Sequence, residues 1–90
     1  MSRYTVTWHP GADNELAVIW LTSPQRAAIT LAANEIETLL SSGKLSAAKE
    51  LAESLQVLIV PPLRVIFSIR ELDRMIEVWR ITELPRLTST

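Results

Sequence analysis

The chain of 90 residues contains no cysteine, only one histidine and only two glycines. Without cysteine the protein can form neither a disulfide nor a thiolate nucleophile, and one histidine is too few for the usual Cys/His structural zinc site. We therefore predict no metal and no cofactor. A chain without cysteine also suits a reducing compartment, so the expected location is the cytoplasm.

The chain also has no excess of positive charge. Nine Lys/Arg residues stand against ten Asp/Glu residues, which gives a formal net charge of −1. Residues 62–90 are the exception, because they hold five arginines against four acidic residues. Nonspecific affinity for nucleic acid is therefore expected to be weak, since few phosphates could be neutralised. Any basic surface is predicted to lie in the last third of the chain.

Long apolar runs are absent as well. No stretch approaches the roughly 20 apolar residues that span a bilayer, and the N-terminus enters a strand pattern directly rather than a signal peptide. We therefore predict no membrane association. The hydrophobic content of 48% argues against disorder, so we expect one domain over residues 1–84 and a mobile polar tail over residues 85–90.

The first half of the chain predicts one strand and two helices. Residues 3–8 alternate between apolar and polar side chains, which is typical of a half-buried strand. Helical spacing follows over residues 12–21 and again over residues 24–41, where Ser23 is the expected N-cap and Gly43 the expected end. Two helices joined so closely predict an αα-hairpin.

The second half of the chain is rich in β-branched residues. Residues 45–54 contain good helix formers, but the run is so short that a single helical turn or a loop is expected. Three strand patterns follow, separated by two prolines and by a polar turn, at residues 55–60, 63–69 and 75–82. Connections this short predict an antiparallel meander. The predicted fold is an α+β two-layer sandwich in the order β-α-α-β-β-β, with the helical hairpin covering one face of an antiparallel sheet.

The register of the last hairpin has two solutions. Arg70 pairs either with Met75 across a four-residue loop or with Arg74 across a three-residue loop. A one-residue slip moves every side chain of a strand to the other face. The first register places Arg80 on the core face, whereas the second places Arg64 directly opposite Arg80 on the open face. A β-bulge would relieve either arrangement.

The second register is the favoured one, because it buries Trp79, the larger apolar side chain. The tryptophans are accordingly assigned to the core rather than to a base-stacking platform. The predicted core residues shared by sheet and helices are Trp8, Trp20, Ile36, Phe67 and Trp79. His9, which precedes a proline at a strand end, is interpreted as a loop residue rather than as a catalytic base.

Arginines on the open sheet face are the candidate target- or anion-binding residues. They are Arg64 and Arg80, predicted to lie side by side, with Arg70 at their edge. Guanidinium groups bind phosphate or carboxylate bidentately, and like charges opposed on neighbouring strands are unfavourable unless an anion lies between them. The alternative is that these arginines are solvated strand residues paired with Glu77 or Asp73.

Four segments of the chain are distinctive when taken in order: YTVTW at residues 4–8, EL and IWL within residues 15–21, PLRVIFSI at residues 62–69 and IEVWRI at residues 76–81. In this order they resemble the RelE/ParE toxin superfamily, and bacterial plasmid-stabilisation proteins in particular. The resemblance covers nearly the whole chain. It implies the β-α-α-β-β-β fold and the role of toxin in a type II toxin–antitoxin system, held silent by an antitoxin whose helix and extended segments wrap it.

The family has two branches, and the resemblance leaves both open. One branch cleaves mRNA in the ribosome with basic side chains on the open sheet face and a Tyr or His near the C-terminus, and the other poisons DNA gyrase. Arg64 and Arg80 match the family's arginines, but no Tyr or His follows Arg80, so no catalytic residue is carried over. A third reading is a non-toxic interaction module of the same fold. The implied partners are an antitoxin and either ribosome-bound mRNA or DNA gyrase, in a homodimer or a hetero-oligomer.

Overall fold

The computed structural model describes residues 3–85 and places two helices on one face of a five-stranded sheet. The elements are β1 (Thr5–Trp8), α1 (Pro10–Thr22), α2 (Arg26–Ser42), β2 (Lys49–Ala52), β3 (Leu55–Val60), β4 (Leu63–Arg70) and β5 (Met75–Glu83). The strand order across the sheet is β1-β5-β4-β3-β2. This arrangement confirms the predicted α+β class. Residues 86–90 of the predicted tail lie outside the described range.

The sheet differs from the prediction in two details. Strands β2 to β5 are antiparallel neighbours, but β1 pairs with β5 in parallel, with Thr5 beside Met75, so the sheet is mixed. The second detail is β2, which forms where the sequence predicts a helical turn or a loop. Its residues pair with β3, with Lys49 opposite Val57. Tertiary pairing overrides local helix propensity in so short a run.

Helix α1 begins two residues earlier than the sequence pattern predicts, because His9 and Pro10 form its N-terminus. The Nδ1 atom of His9 accepts a hydrogen bond from the backbone N–H of Gly11 at 3.1 Å. Pro10 occupies the first helical position, where its missing N–H leaves no helical bond unmade. Neither helix in the described range has the length and hydropathy needed to cross a bilayer.

The predicted start of α2 is wrong, and its predicted end is confirmed. The helix begins at Arg26, because Ser23 instead closes α1 by donating its backbone N–H to the carbonyl of Ile19 at 2.9 Å. At the other end Gly43 has a φ of 73°, a left-handed conformation that glycine adopts without strain. Helix α2 covers the sheet with a buried stripe of Ile29, Ala32, Ile36 and Leu40.

The hairpin between β4 and β5 has the first of the two predicted registers near its turn. Arg70 pairs with Met75 across the loop of residues 71–74, so the favoured pairing of Arg70 with Arg74 is wrong. That pairing would bury Met75 and leave its β-branched neighbours on the open face. The observed register instead buries β-branched side chains, which pack well on a pleated surface.

A β-bulge at Trp79 then changes the register along β5. Phe67 pairs with Val78, but the next residue of β4, Ile66, pairs with Arg80, so Trp79 is the extra residue. Because Trp79 is extra, the side chains beyond it are shifted by one position, and the apolar side chain of Ile81 points into the core. The bulge also places both Trp79 and Arg80 on the open face, which neither regular register does.

The predicted core is correct in part. Phe67 and Ile36 are fully buried between sheet and helices, and Trp8 is half-buried against them. Trp20 and Trp79 are wrong as core residues, because their exposed fractions are 42% and 40%. Aliphatic side chains fill the core in their place: Leu40, Leu58, Leu63, Val65, Ile76, Val78 and Ile81.

Candidate functional site

The sheet face turned away from the helices, the open face, carries the predicted arginines. Strand β4 presents four side chains here, in alternation with its core residues: Arg64, Ile66, Ser68 and Arg70. Directly opposed residues share a face. Strand β5 therefore contributes their partners, in the same order: Thr82, Arg80, Glu77 and Met75.

Arg64 and Arg80 share the open face, but they are not directly opposed as predicted. Arg64 lies opposite Thr82, and Arg80 lies opposite Ile66, so the bulge offsets the two arginines along the sheet. The unfavourable opposition of like charges is thereby avoided. Within residues 3–85 neither Arg64 nor Arg70 forms an ion pair, so both guanidinium groups are left without an internal counter-charge in that range.

Arg80 is held by Glu15 of α1. The Oε2 atom of Glu15 accepts hydrogen bonds from Nε and Nη2 of Arg80 at 3.2 and 2.9 Å, while Oε1 accepts the backbone N–H of Ile81 at 3.0 Å. Desolvation opposes ionisation of Glu15, but the hydrogen bonds from Ile81 and Arg80 outweigh it and lower the pKa of the carboxyl. The carboxylate therefore fixes the guanidinium, whose other N–H groups stay available to an anion.

This contact predicts a pH-dependent contribution of Glu15 to stability. Because the folded state lowers the pKa of Glu15, its contribution is present above the unfolded pKa and is lost as pH falls through the folded pKa. We expect Glu15→Gln to be less stable than wild type at neutral pH. The difference should shrink on acidification when both proteins are unfolded with urea at several pH values. A pH-independent difference would mean that the carboxylate charge plays no part.

Two aromatic rings lie next to Arg80 on the open face. The Nε1–H of Trp79 donates to Oγ of Ser68 at 2.9 Å, and the ring of Trp79 stacks on that of His9 with centroids 5.2 Å apart and planes inclined by 29°. The His9 ring is itself fixed by the hydrogen bond from the N–H of Gly11. Both rings are therefore oriented before any ligand arrives. We refer to His9 and Trp79 together as the aromatic pair.

The aromatic pair lines a groove of about 670 Å³ on the open face. Leu51, Leu55 and Ile66 supply apolar surface, and Arg80 supplies a cation. A groove of this size is comparable to those that hold small organic ligands. Its lining suits a planar ring that carries a negative charge.

The groove offers binding groups and no evident acid–base pair. Because Nδ1 of His9 accepts from the N–H of Gly11, the proton of the neutral imidazole lies on Nε2, where it can donate but not accept. The carboxylate of Glu77 lies opposite Ser68, further toward the turn. Within residues 3–85 no cluster of three or more potential metal ligands occurs. The arrangement can therefore stack a ring and hold an anion.

Sequence reasoning finds the arginines and misses three other residues of this site. Trp79 is assigned to the core and His9 to a loop, although the structure brings the two rings together. Glu15 is not among the predicted site residues, yet it contacts Arg80, 65 positions away. The sequence does contain one signal for Trp79, which is that Arg80 follows it directly. In a regular strand, adjacent side chains point to opposite faces, so only one of the two can lie on the open face. A β-bulge is needed to place both of them there.

A second groove, of about 510 Å³, runs between α1 and α2 on the side away from the sheet. This helical groove is lined by Asp13, Leu16, Ala17, Trp20, Leu21, Ile29, Thr30, Ala33 and Asn34. Arg26 lies over the Trp20 ring at 5.0 Å and donates to the last carbonyls of α1, while the Nε1–H of Trp20 donates to Thr30 at 3.1 Å. Apolar side chains therefore remain exposed at a position that the fold holds rigid.

Known proteins are similar to this chain in structure rather than in sequence. No family model matches the chain, and no curated protein matches it. A chain of the toxin–antitoxin complex RelBE2 from Mycobacterium tuberculosis superposes with a TM-score of 0.73 at 18% identity, over 90% of this chain and 98% of the other.

Two further structures give the same result. A chain of the archaeal RelE–RelB complex from Pyrococcus horikoshii has a TM-score of 0.69 at 19% identity, over 96% of this chain and 99% of the other. A chain of the chromosomal ParDE TA system from P. aeruginosa has a TM-score of 0.68 at 14% identity, over 94% of this chain and 100% of the other. The similarity confirms the resemblance that the sequence suggests: the chain has the fold of the RelE/ParE toxin superfamily.

Proposed function

We propose that this protein is the toxin of a type II toxin–antitoxin pair and that it arrests growth by acting on translation. The observation that carries the proposal is an open face, on a RelE/ParE fold, where a stacked aromatic pair lies beside Arg80 and where Arg64 and Arg70 are also displayed. Aromatic rings and cations are the two components with which proteins hold single-stranded nucleic acid. The mRNA in a ribosome offers such a strand. The net charge of −1 disfavours duplex DNA, whose binding needs many phosphate contacts.

The helical groove is the proposed site of the antitoxin. Its apolar lining includes Trp20 and Leu21, which are 42% and 61% exposed, and exposed apolar side chains grouped in a groove are typical of a protein–protein contact. An amphipathic antitoxin helix would cover it with its own apolar side chains. The three similar structures come from a RelBE2 complex, a RelE–RelB complex and a ParDE system, which supports a partner of this kind.

Expression in bacteria tests the proposal directly. Induction should stop growth, and co-expression of the small protein encoded by the neighbouring reading frame should restore it. Incorporation of labelled methionine should fall soon after induction, before that of labelled thymidine. If thymidine incorporation fell first, the target would be DNA gyrase instead. Normal growth at high soluble expression would contradict a toxin.

The arginines of the open face should be required for this activity. We expect Arg64→Ala/Arg80→Ala to inhibit cell-free translation only at a concentration at least about tenfold higher than wild type, since a charge-assisted hydrogen bond contributes about 1.5–3 kcal/mol. The matched control is Arg3→Ala/Lys44→Ala, which removes two exposed charges outside the open face. Melting curves establish that both variants fold. Equal inhibition by both double variants would remove the arginines from the site.

A further inference from the structure

Trp79 occupies a position that core packing does not explain. It is the extra residue of the bulge, 40% of its surface is exposed, and its ring is nonetheless fixed by Ser68 and stacked on His9. A large aromatic side chain stabilises a fold mainly by being buried. Here the fold instead displays the ring at the rim of an apolar groove, in a fixed orientation. Bulges commonly aim a side chain next to a functional site.

From this geometry we infer that the aromatic pair is a stacking platform for one unpaired nucleobase of an RNA strand, with the adjacent phosphate on Arg80. The inference rests on the proposed action on RNA and assigns the residues that bind the RNA strand. The groove of about 670 Å³ has room for a base against the rings and Ile66. Arg80 lines the same groove, and its guanidinium is positioned by Glu15.

The same lining determines which bases the platform accepts. Oγ of Ser68 already accepts the Nε1–H of Trp79, and Nδ1 of His9 already accepts from Gly11. These two acceptor atoms are engaged within the protein, so the contact that the two rings offer a base is through its π-face. Stacking of this kind is tolerant of sequence and follows stacking strength. Purines, which stack more strongly, should therefore bind more tightly than pyrimidines.

Binding of fluorescein-labelled hexaadenylate, followed by anisotropy at low salt, tests the platform. Loss of one base–aromatic stack should weaken binding roughly 5- to 150-fold, so Trp79→Leu should show a loss in this range. Trp79→Phe, which keeps an aromatic face, should retain most of the affinity. Both variants keep an apolar side chain at a partly exposed position, and melting curves confirm that each is folded.

A second ligand separates stacking from other roles of Trp79. A hexanucleotide of six abasic residues should bind to wild type and to Trp79→Leu with equal affinity, because it offers phosphates and sugars but no base to stack. Adenosine monophosphate should bind much more weakly than the hexamer. This result would indicate that the ligand is an RNA strand and not a free nucleotide. If Trp79→Leu binds hexaadenylate as wild type does while translation is still inhibited, the platform is refuted and the proposed function stands. If wild type binds no RNA and leaves translation unaffected, both fail.

Discussion

Replacement of Phe67 by alanine is expected to lower the free energy of unfolding by about 3–5 kcal/mol, the usual cost of truncating a buried aromatic side chain. Phe67 is fully buried at the centre of the sheet, opposite Gln56 of β3 and Val78 of β5. Helix α2 covers the Phe67 ring on one side, so the cavity that alanine would leave there cannot be filled by a small movement of a loop. Small domains are stable by about 5–15 kcal/mol in total, so this variant should lie close to unfolding.

Urea unfolding followed by circular dichroism measures the effect of Phe67→Ala. The control is Leu72→Ala, because Leu72 is fully exposed in the turn after β4 and its loss should change stability by no more than about 0.5 kcal/mol. A loss below about 1 kcal/mol for Phe67→Ala would mean that the ring does not lie in the core. Comparable losses in both variants would indicate a nonspecific effect of apolar truncation.

Strand positions and the helix stripe follow from local patterns, which is why they are predictable. The alternation of β4 places Phe67 and Arg64 on opposite faces, and the structure agrees. The stripe of α2 likewise identifies Ile36 as a core residue. In these elements apolar residues recur in the sequence with the same period as the backbone, over a full strand or several helical turns. Local order of this kind needs no knowledge of the rest of the chain.

The bulge and the site around it depend on contacts between distant segments, which is why the pattern does not reveal them. Reading β5 as a regular strand forces a choice between burying Trp79 and burying Val78, and size favours Trp79. The protein instead inserts Trp79 as an extra residue and keeps the β-branched side chain in the core. The hydrogen bond that Trp79 donates to Ser68 and the ring of His9 hold Trp79 at this exposed position. His9 reaches it only because β1 lies next to β5.

Replacement of Leu21 by glutamate is expected to weaken antitoxin binding at least about tenfold, or about 1.4 kcal/mol. Leu21 lines the helical groove and is 61% exposed in the free protein. Glutamate at this position is hydrated before binding, so the stability of the free toxin should change by no more than about 0.5 kcal/mol. In the complex the carboxylate would have to be buried against an apolar helix, which is costly. The open face is untouched, so the variant should still inhibit translation.

Leu31→Glu is the matched control for Leu21→Glu. Leu31 is 71% exposed on α2 and does not line the helical groove, so the same substitution there introduces the same charge at a similar exposure. Titration of each variant with the purified antitoxin, and growth of cells that express both proteins, give the two readouts. Leu21→Glu should remain toxic in the presence of the antitoxin, whereas Leu31→Glu should be neutralised as wild type is. If the antitoxin neutralises both variants equally, it does not bind the helical groove and must cover another surface.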